Sequence, residues 1–508
     1  MTQAIELKEK RAYCTFLVFL SSLLFMSLVV PEANAYSNSV TDDWPMFHHD
    51  PMHTGYSTSN SPGTNKTLWT YKTNSAIGSP AIVDGRVYVG SNNGNIYCLN
   101  AFDGTFLWNY QTGGEVEGCP AVVKNRVYIG SEDQNIYCLE AYTGAKMWNF
   151  TTGGAIRSSP TVSEGRVFVG SYDGNVYAFN ASNGSLIWKY QSGGAVHSSP
   201  AVSGNNLYVG SNDRNFYCLN ISDGTAIWRF NIGNWVGSSP AFAEGRVYFG
   251  TDGSYMYALN ASNGEVSWQY ATTYGVSSSP AVAQGRVYVG SRDLNIHCLN
   301  ATNGAQLWKF KTTAWITCSP AVANGKVYAG EGMHVHAFTS DFFCLDASSG
   351  SAIWKFTANY TGIWTSSSPA VAYGNVYLGT DDGYIYAFGS PQPVPPEVVV
   401  VSPVNQTYNI SSVSLVFTVN EPVAWMGYAL DDAEMVTITG NITLTNLPNG
   451  LHGVTVFAND TFGSIGTSET ISFSIDVPET FPHLIVVVAS IAIALTAGLI
   501  LYSKKRRH

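Results

Sequence analysis

A unit of about forty residues repeats along most of this chain of 508 residues. Each unit contains a Ser-Pro or Cys-Pro dipeptide, with the prolines at Pro80, Pro120, Pro160, Pro200, Pro240, Pro280, Pro320 and Pro369. A tryptophan recurs with nearly the same period, as Trp69, Trp108, Trp148, Trp188, Trp228, Trp268, Trp308 and Trp354. A fixed period of this length indicates a solenoid, propeller or array, because one unit cannot bury its own apolar face and must stack on its neighbours.

Each unit is predicted to form a small antiparallel sheet. In the copy from Ser158 to Trp188, apolar residues alternate within segments 166–170 and 175–180. Asp173-Gly174 and Asn183-Gly184 favour tight turns between these segments. No part of the unit shows the apolar spacing of three and four that a helix requires. Four short strands in each unit predict an all-β propeller.

The two ends of the repeat predict how the ring closes. Seven units run from the proline to the tryptophan, but the eighth ends near Phe388 without its tryptophan strand. A spare copy of that strand, Leu68–Thr73, precedes the first proline. We therefore expect eight blades, with this N-terminal strand pairing with residues 384–388, because closure leaves no free sheet edge inside the repeat.

The segment from Ala178 to Trp188 resembles the tryptophan-docking pattern of eight-bladed propellers of the pyrroloquinoline-quinone (PQQ) repeat family. In that pattern a small residue, an Asp or Asn, a Gly and a Trp lie at fixed offsets, which implies that the repeat tryptophans pack between adjacent blades as structural residues. The small position here is Cys98, Cys138, Ala178, Cys218, Ala258, Cys298 and Cys344, and the Gly is Gly104, Gly144, Gly184, Gly224, Gly264, Gly304 and Gly350. The resemblance covers about residues 43–389, includes the lead-in from Asp43 to Ser57, and extends to the outer-membrane assembly lipoproteins of this family.

Residues 1–35 are predicted to be a secretory signal peptide. Lys8, Lys10 and Arg11 form a basic start, residues 12–30 are apolar, and residues 33–35 read Ala-Asn-Ala, a small-x-small cleavage pattern. The alternative is an uncleaved anchor, because the apolar segment is long for a signal peptide.

The chain changes in character after the last unit. Residues 390–397 are rich in proline and are predicted to form a stiff linker. Residues 398–477 contain short alternating segments divided by Pro, Asn and Gly, which predicts a β-sandwich of immunoglobulin or fibronectin type. This segment resembles the Ig-like modules that stand near the membrane in archaeal surface proteins, although it contains no cysteine pair.

Residues 484–502 are apolar, uncharged and long enough to span a bilayer as a helix. The tail that follows, residues 503–508, contains Lys504, Lys505, Arg506 and Arg507. The positive-inside rule then places this C-terminal tail in the cytoplasm and the propeller and sandwich outside the cell. The predicted localisation is the cell membrane, crossed once.

Composition agrees with a surface protein and argues against nucleic-acid binding. Charged residues make up only 12% of the chain, its net charge is −10, and no basic stripe occurs outside the tail. Twelve N-x-Ser/Thr sequons are present, which are glycan acceptors only in secreted chains. The docking pattern itself explains those at Asn180, Asn220, Asn260 and Asn300. The expected glycosylation sites are Asn405, Asn409, Asn441 and Asn459.

We expect no metal and no cofactor. The eight cysteines include no adjacent pair and no zinc-binding spacing, so we interpret those after the signal segment as small buried residues. Histidines and an aspartate in the lead-in (His48, His49, Asp50 and His53) could bind a metal, and so could His334 and His336, but neither group has the fixed ligand geometry of a known site.

The loop before each proline varies within an otherwise constant unit. A hydrophobic residue stands four positions before the proline, whereas the positions three and five before it differ from unit to unit. Alternation places these two positions on one side, at a mouth of the central channel. We define the rim as the ligand- or partner-binding residues predicted there: Glu115, Glu117, Arg157, His197, Trp235, Trp315 and Trp364. The alternative is ordinary loop variation, with the tryptophans plugging the channel.

These features predict a membrane-anchored extracellular propeller that acts as a non-catalytic binding or assembly scaffold. Its expected partners are a protein or glycan ligand on the propeller face and the membrane, through the C-terminal helix. One alternative is a glycan-binding surface lectin. Another is a PQQ-dependent dehydrogenase, for which the resemblance implies a vicinal Cys-Cys disulfide, calcium ligands and a catalytic Asp. The chain has no Cys-Cys pair and no Asp at the variable rim positions, so we predict no enzyme and no catalytic residues.

Overall fold

The computed structural model describes residues 42–332, 340–358, 367–390, 395–420, 423–431, 433, 435–460, 465–478, 495–497 and 499. They fall into two compact units that divide between positions 391 and 392. The predicted signal peptide, the basic tail, most of segment 484–502 and half of the predicted linker lie outside the described residues. Within these ranges, no helix is both long and apolar enough to cross a membrane.

The first unit contains eight sheets, which we number along the chain. Sheet 1 contains Ala81–Val83, Arg86–Gly90, Asn95–Asn100 and Phe106–Gln111. Sheet 2 contains Ala121–Val123, Arg126–Gly130, Asn135–Glu140 and Lys146–Thr151. Sheet 3 contains Thr161–Ser163, Arg166–Gly170, Asn175–Asn180 and Leu186–Gln191. Sheet 4 contains Ala201–Ser203, Asn206–Gly210, Asn215–Asn220 and Ala226–Asn231.

The remaining four sheets continue the pattern, with two additions from the N-terminal segment. Sheet 5 contains Ala241–Ala243, Arg246–Gly250, Tyr255–Asn260 and Val266–Ala271, and sheet 6 contains Ala281–Ala283, Arg286–Ser291, Asn295–Asn300 and Gln306–Lys311. Sheet 7 contains Ala321–Ala323, Lys326–Gly330, Ser340–Asp346 and Ala352–Ala358, with Tyr56–Ser57 added in parallel. Sheet 8 contains Ala370–Ala372, Asn375–Gly379, Tyr384–Phe388 and, as its outer strand, Thr67–Lys72.

The second and third strands of each sheet are buried on both faces. Phe168 is as fully buried as its neighbours Val167 and Val169, although alternation in the sequence predicts only one buried face. The reason is that each sheet lies between two others, so both of its faces are covered. Among the described strands, the fourth of each sheet is the most exposed: in Leu186–Gln191, Trp188 is buried whereas most of its neighbours are exposed.

The eight first strands form a closed ring. Each lies beside the first strand of the next sheet, and Ala370–Ala372 lies beside Ala81–Val83. Hydrogen bonds follow the same circle: the Ser159 amide donates to Ser199 Oγ at 2.9 Å, and the Ser368 amide donates to Ser79 Oγ at 2.8 Å. The predicted closing pair is confirmed, because Thr67–Lys72 is antiparallel to Tyr384–Phe388.

The repeat tryptophans join adjacent sheets. Trp188 is 7% exposed, and its Nε1 donates to the Ile221 carbonyl of the next sheet at 2.9 Å. Gly224 lies against the indole with φ of 75°, and a Cβ there would be 2.6 Å from the ring. Glycine is therefore required for the positive φ and for the close approach. Trp354 differs, since its Nε1 reaches the Pro62 carbonyl at 3.5 Å.

The lead-in lies inside the ring rather than around it. Its carbonyls accept hydrogen bonds from the first strands of six sheets, for example Pro45 from the Val122 amide at 2.7 Å and Met52 from the Phe242 amide at 2.8 Å. Trp44 is also paired with Ile82 of sheet 1. Because these contacts go around the circle, the lead-in fills the interior at the level of the first strands.

All seven described cysteines are free and buried, as expected from the sequence. Burial raises the pKa of the Cys98 thiol to about 12, so this cysteine stays protonated at neutral pH. The remaining six also have raised pKa values because of burial. These thiols act as packing groups in the core.

The second unit contains two sheets. One consists of Val398–Ser402, Val413–Val419 and Ile442–Leu444. The other consists of Thr407–Tyr408, Ile471–Ile475, Gly450–Asp460, Val423–Leu430, Val436–Ile438 and Ile465–Thr467. Leu415 and Phe417 from the first sheet share one buried cluster with Val454, Val456 and Phe473 from the second.

Candidate functional site at the mouth of the ring

The hydrophobic position of the variable loop is buried in every unit where it was predicted: Val116, Ile156, Val196, Val236, Val276 and Ile316. This burial fixes the loop and turns the flanking positions toward solvent. Six of the seven rim residues are described, whereas Trp364 lies outside the described residues. The six divide into two arcs.

The first arc begins with acidic side chains that share one arginine. Arg157 Nη2 lies 2.5 Å from Glu132 Oε1, and its Nε lies 3.5 Å from Glu117 Oε2. Burial raises the pKa of Glu117, which neighbouring Glu132 and Glu115 also raise and Arg157 lowers. Carboxylate oxygens of these three glutamates lie within 4.8 Å of one another. Arg157 supplies one positive charge beside Glu117 and Glu132, whereas Glu115 has no ion pair with it.

The same arginine continues the arc. Its Cζ lies 5.1 Å from the ring centre of Tyr172, and the Tyr172 hydroxyl lies 2.9 Å from His197 Nδ1. Burial and the charge of Arg157 lower the pKa of His197. His197 is therefore neutral at pH 7 and acts as a hydrogen-bonding group rather than as a cation.

The second arc is aromatic. Trp235 is 55% exposed, and Tyr274 in the loop before the next unit's proline is 62% exposed, which is unusual for such large rings. Trp315 is half-buried beneath Arg292, whose Cζ lies 5.7 Å from the indole centre. Arg292 also lies 3.5 Å from a carboxylate oxygen of Asp252, and the Asp252 amide donates to the Trp235 carbonyl at 3.2 Å. The arc thus links Trp235 to Trp315 through an ion pair.

The prediction from sequence missed four residues that join these arcs, which we call the companion residues: Glu132, Tyr172, Asp252 and Arg292. They occupy one position in the turn after the second strand, two residues beyond its glycine. The residue at that position also changes from unit to unit. The comparison of constant and variable positions that predicts the rim could therefore have predicted the companion residues as well. A backbone bond brings the two positions together, as when the Glu132 amide donates to the Glu115 carbonyl at 2.9 Å.

The lead-in gives the mouth a floor. His53 is fully buried, with Nδ1 3.2 Å from the Pro240 carbonyl and Nε2 3.0 Å from Thr161 Oγ1. Thr161 stands where the other seven units have Ala. The lead-in therefore occupies the interior of the ring at this level.

The lead-in histidines are structural groups in this arrangement and do not converge on a metal position. His49 lies between two carboxylates, with Nε2 3.0 Å from Asp42 Oδ1 and Nδ1 3.6 Å from Asp50 Oδ2. Among the described residues, the glutamate trio is the group whose ligand atoms converge. His334 and His336 lie outside the described residues.

Stability should fall on mild acidification because two lead-in histidines are buried in neutral form. Burial lowers the pKa of His48 to about 3 and that of His53 to about 4. An unfolded histidine has a pKa of about 6.5, so this contribution is fully present above pH 6.5 and is lost as the pH falls toward 4. We expect a loss of about 2 kcal/mol per histidine between pH 7 and pH 5.

The measurement is the free energy of unfolding against pH for the parent and for His53→Gln. The variant should lose less stability between pH 7 and pH 5 than the parent does. His49 contributes to the pH dependence of stability with the opposite sign. Burial lowers its pKa, but the hydrogen bonds and charges of Asp42 and Asp50 outweigh burial and raise the pKa to about 9. Its contribution is present below pH 6.5 and disappears as the pH rises through 9. Parallel plots of unfolding free energy against pH for the parent and for His53→Gln would contradict the assignment of His53 as a histidine buried in neutral form.

Two family models match the first unit. The model described as outer membrane protein assembly factor BamB matches residues 58–137 and 271–390. The model described as the β-propeller of a beta-alanine-activating enzyme matches residues 138–328. No curated protein sequence matches the chain.

Solved structures share this fold at low sequence identity. BamB from Moraxella catarrhalis is 15% identical with a TM-score of 0.54, over 65% of this chain and 98% of that one. A europium-containing methanol dehydrogenase is 13% identical with a TM-score of 0.60, over 69% and 98% of the two chains. Quinohemoprotein alcohol dehydrogenase from Comamonas testosteroni is 15% identical with a TM-score of 0.58, over 73% and 84%. At these identities the similarity concerns the fold alone. Together with the family matches, it shows that the first unit is a β-propeller of the PQQ-repeat family.

Proposed function

We propose that this chain is a membrane-anchored extracellular protein whose eight-bladed propeller binds a ligand at its mouth without catalysis. The observation that carries the proposal is a contrast between units. Packing positions recur with little change, whereas the rim and companion positions differ from unit to unit and form linked arcs of charged and aromatic side chains. Packing favours the same residue in every unit, but recognition of an asymmetric ligand requires different ones.

The chemistry of the mouth supports protein recognition. Tryptophan, tyrosine and arginine contribute most of the binding energy at protein interfaces, and Trp235, Tyr274 and Arg157 offer exposed surface there. Glu117 and Asp252 add polar groups that can fix the orientation of a ligand. BamB is named as an assembly factor, and this similarity supports a scaffold that binds protein. A glycan remains the alternative ligand, because sugars also pack on exposed tryptophans.

Two observations support the absence of catalysis. The sequence contains no adjacent cysteines, so it lacks the vicinal disulfide that the family resemblance implies for PQQ-dependent dehydrogenases. A guanidinium already lies beside two of the carboxylates at the mouth, because Arg157 is paired with both Glu117 and Glu132. The described residues therefore fit a calcium and PQQ site poorly. Turnover of alcohols or sugars by the full chain incubated with PQQ and calcium would contradict this part of the proposal.

The second unit supports display at the cell surface. Two sheets around one core suit an immunoglobulin-type sandwich that carries the propeller away from the membrane. The sequon residues Asn405, Asn409 and Asn441 are exposed to solvent. Asn459 is half-buried, which makes it less accessible than the other three. We propose the first three as glycan acceptors. The anchor is the apolar segment 484–502, with the basic tail in the cytoplasm.

Site-specific photo-crosslinking tests the binding face. The full chain would carry a benzophenone amino acid at Trp235 in cells that naturally make the protein. A matched control would carry it at Leu307, which is 46% exposed on the outer strand of sheet 6. We expect a discrete adduct from the rim position and none from the control, since only the rim contacts the ligand. Mass spectrometry of the mass that the adduct adds to the chain's own peptide identifies the ligand as a protein or a glycan. Equal labelling from both positions would contradict the proposal.

A further inference from the structure

One groove between neighbouring sheets differs from the others at the end of the propeller opposite the rim. The second strand of most sheets begins with a basic residue, namely Arg86, Arg126, Arg166, Arg246, Arg286 and Lys326. In sheet 4 the residue is Asn206. A groove of about 420 Å³ is present there, between sheets 4 and 5.

Two of the five arginines at this position donate hydrogen bonds to the next sheet, whereas Arg86, Arg166 and Arg246 donate to residues of their own sheet. Arg126 Nη1 donates to the carbonyls of Ala181 and Ser182, in the docking turn of the next sheet, at 2.9 and 2.8 Å. Arg286 Nη1 donates to the equivalent carbonyl of Ala347 at 2.7 Å. The equivalent residues beside the open groove are Ala261 and Ser262, and both line it. The groove therefore has the backbone acceptors that bind a guanidinium in two equivalent positions of the repeat, but no arginine of its own.

A second departure from the repeat occurs at the same groove. The middle residue of the first strand is Ile82 or a valine in seven units, but in sheet 5 it is Phe242. Its ring stacks on Tyr208, with 5.9 Å between centres and 11° between planes. Both rings line the groove. A guanidinium is planar and stacks on aromatic faces while donating to carbonyls, so the two departures together suit the same group.

The other unit that lacks a basic residue is different. In sheet 8 the position is Asn375, which is only 1% exposed. The lead-in lies over this region, because Ser59 Oγ accepts a hydrogen bond from the Gly374 amide at 3.1 Å. Coverage by the lead-in accounts for the missing arginine there. No such segment among the described residues lines the groove between sheets 4 and 5.

We propose that this groove binds the arginine side chain of a protein partner. The guanidinium donates to the carbonyl of Ser262 and to that of Ala261, and it lies against Phe242. Asn206, whose Nδ2 is 3.1 Å from the Tyr208 hydroxyl, occupies the place of the missing arginine without reaching those carbonyls. The site lies at the opposite end of the sheets from the rim, so the failure of either proposal leaves the other intact.

Ligand-observed saturation-transfer NMR on the full chain tests the proposal. The probe is Nα-acetyl-arginine amide, with a saturable Kd expected on the order of 1 mM for a single side chain. The citrulline analogue has the same shape without the charge, and its binding should be at least about tenfold weaker. Binding of free arginine alone, and not of the amide, would contradict a protein source. The absence of saturable binding by the amide would overturn the proposal.

Two substitutions locate the site. Asn206→Arg supplies the side chain that five other units carry, so this variant should fold and should abolish binding by filling the groove from within. Asn206→Gln keeps a neutral amide and should leave the Kd within about twofold of the parent, since it adds no cation. Unchanged binding in Asn206→Arg would place the arginine site elsewhere and contradict the assignment.

Discussion

Deletion of residues 42–72 should lower the melting temperature of the propeller by at least about 15 °C or prevent folding. The deletion removes the strand Thr67–Lys72 that completes sheet 8, and with it the docked Trp69. It also removes the buried Trp44, Met46 and Phe47 from the ring interior. Each large buried side chain contributes several kcal/mol, so the combined loss exceeds the stability of an ordinary domain.

A small change in the same interior serves as the matched control. Thr161→Ala restores the residue that the other seven units carry and removes one methyl group and the hydroxyl that contacts His53 Nε2 and the Pro200 carbonyl. Its cost should be about 2–3 kcal/mol, the net value of two buried hydrogen bonds and a methyl group. Thermal unfolding followed by circular dichroism measures both variants. A deletion variant that melts with the parent would show that the N-terminal segment neither closes nor fills the ring.

Trp188→Ala should cost about 3–5 kcal/mol of unfolding free energy. The indole is buried between sheets 3 and 4 against Gly224, and a glycine cannot move to fill the space that the indole leaves. The substitution also removes the hydrogen bond to the Ile221 carbonyl. Denaturant unfolding of the full chain, followed by near-ultraviolet circular dichroism, measures the loss.

Trp235→Ala is the control for this substitution. It removes the same side chain from the rim, where the ring is mostly exposed, and should change stability by less than about 0.5 kcal/mol. Because both variants lose a tryptophan, the difference between their unfolding free energies reports the effect of burial alone. Similar costs would mean that one of the two tryptophans has been assigned to the wrong role.

The periodic part of the fold could be predicted from the sequence because every unit repeats the same evidence. The closing strand was found by its tryptophan, and only its limits differ by one residue, Thr67–Lys72 instead of Leu68–Thr73. The interior position of the lead-in could not be found, because that segment has no periodicity. Its irregular backbone, with positive φ at His48, His49 and His53, is held by contacts with strands distant in sequence.

The candidate site was only partly predictable. The sequence predicts Glu117 and Arg157 on the rim because side chains alternate on either side of the buried hydrophobic residue, and this alternation depends only on local backbone geometry. The contacts that join the rim into arcs come from a turn in the preceding sheet, as with Glu132 and Arg292. Pairing between separate turns depends on the register of whole sheets, which the sequence of one unit does not contain.

The affinity of the cross-linked ligand for a folded rim variant tests the central claim most directly. The variant is Trp235→Ala with Trp315→Ala, because both rings stand at the mouth and neither occupies a docking position between sheets. Loss of the two aromatic anchors together should cost about 2 kcal/mol or more, so the Kd measured by calorimetry should rise at least about thirtyfold. An unchanged Kd in a variant that melts with the parent would contradict the assignment of the mouth as the binding face.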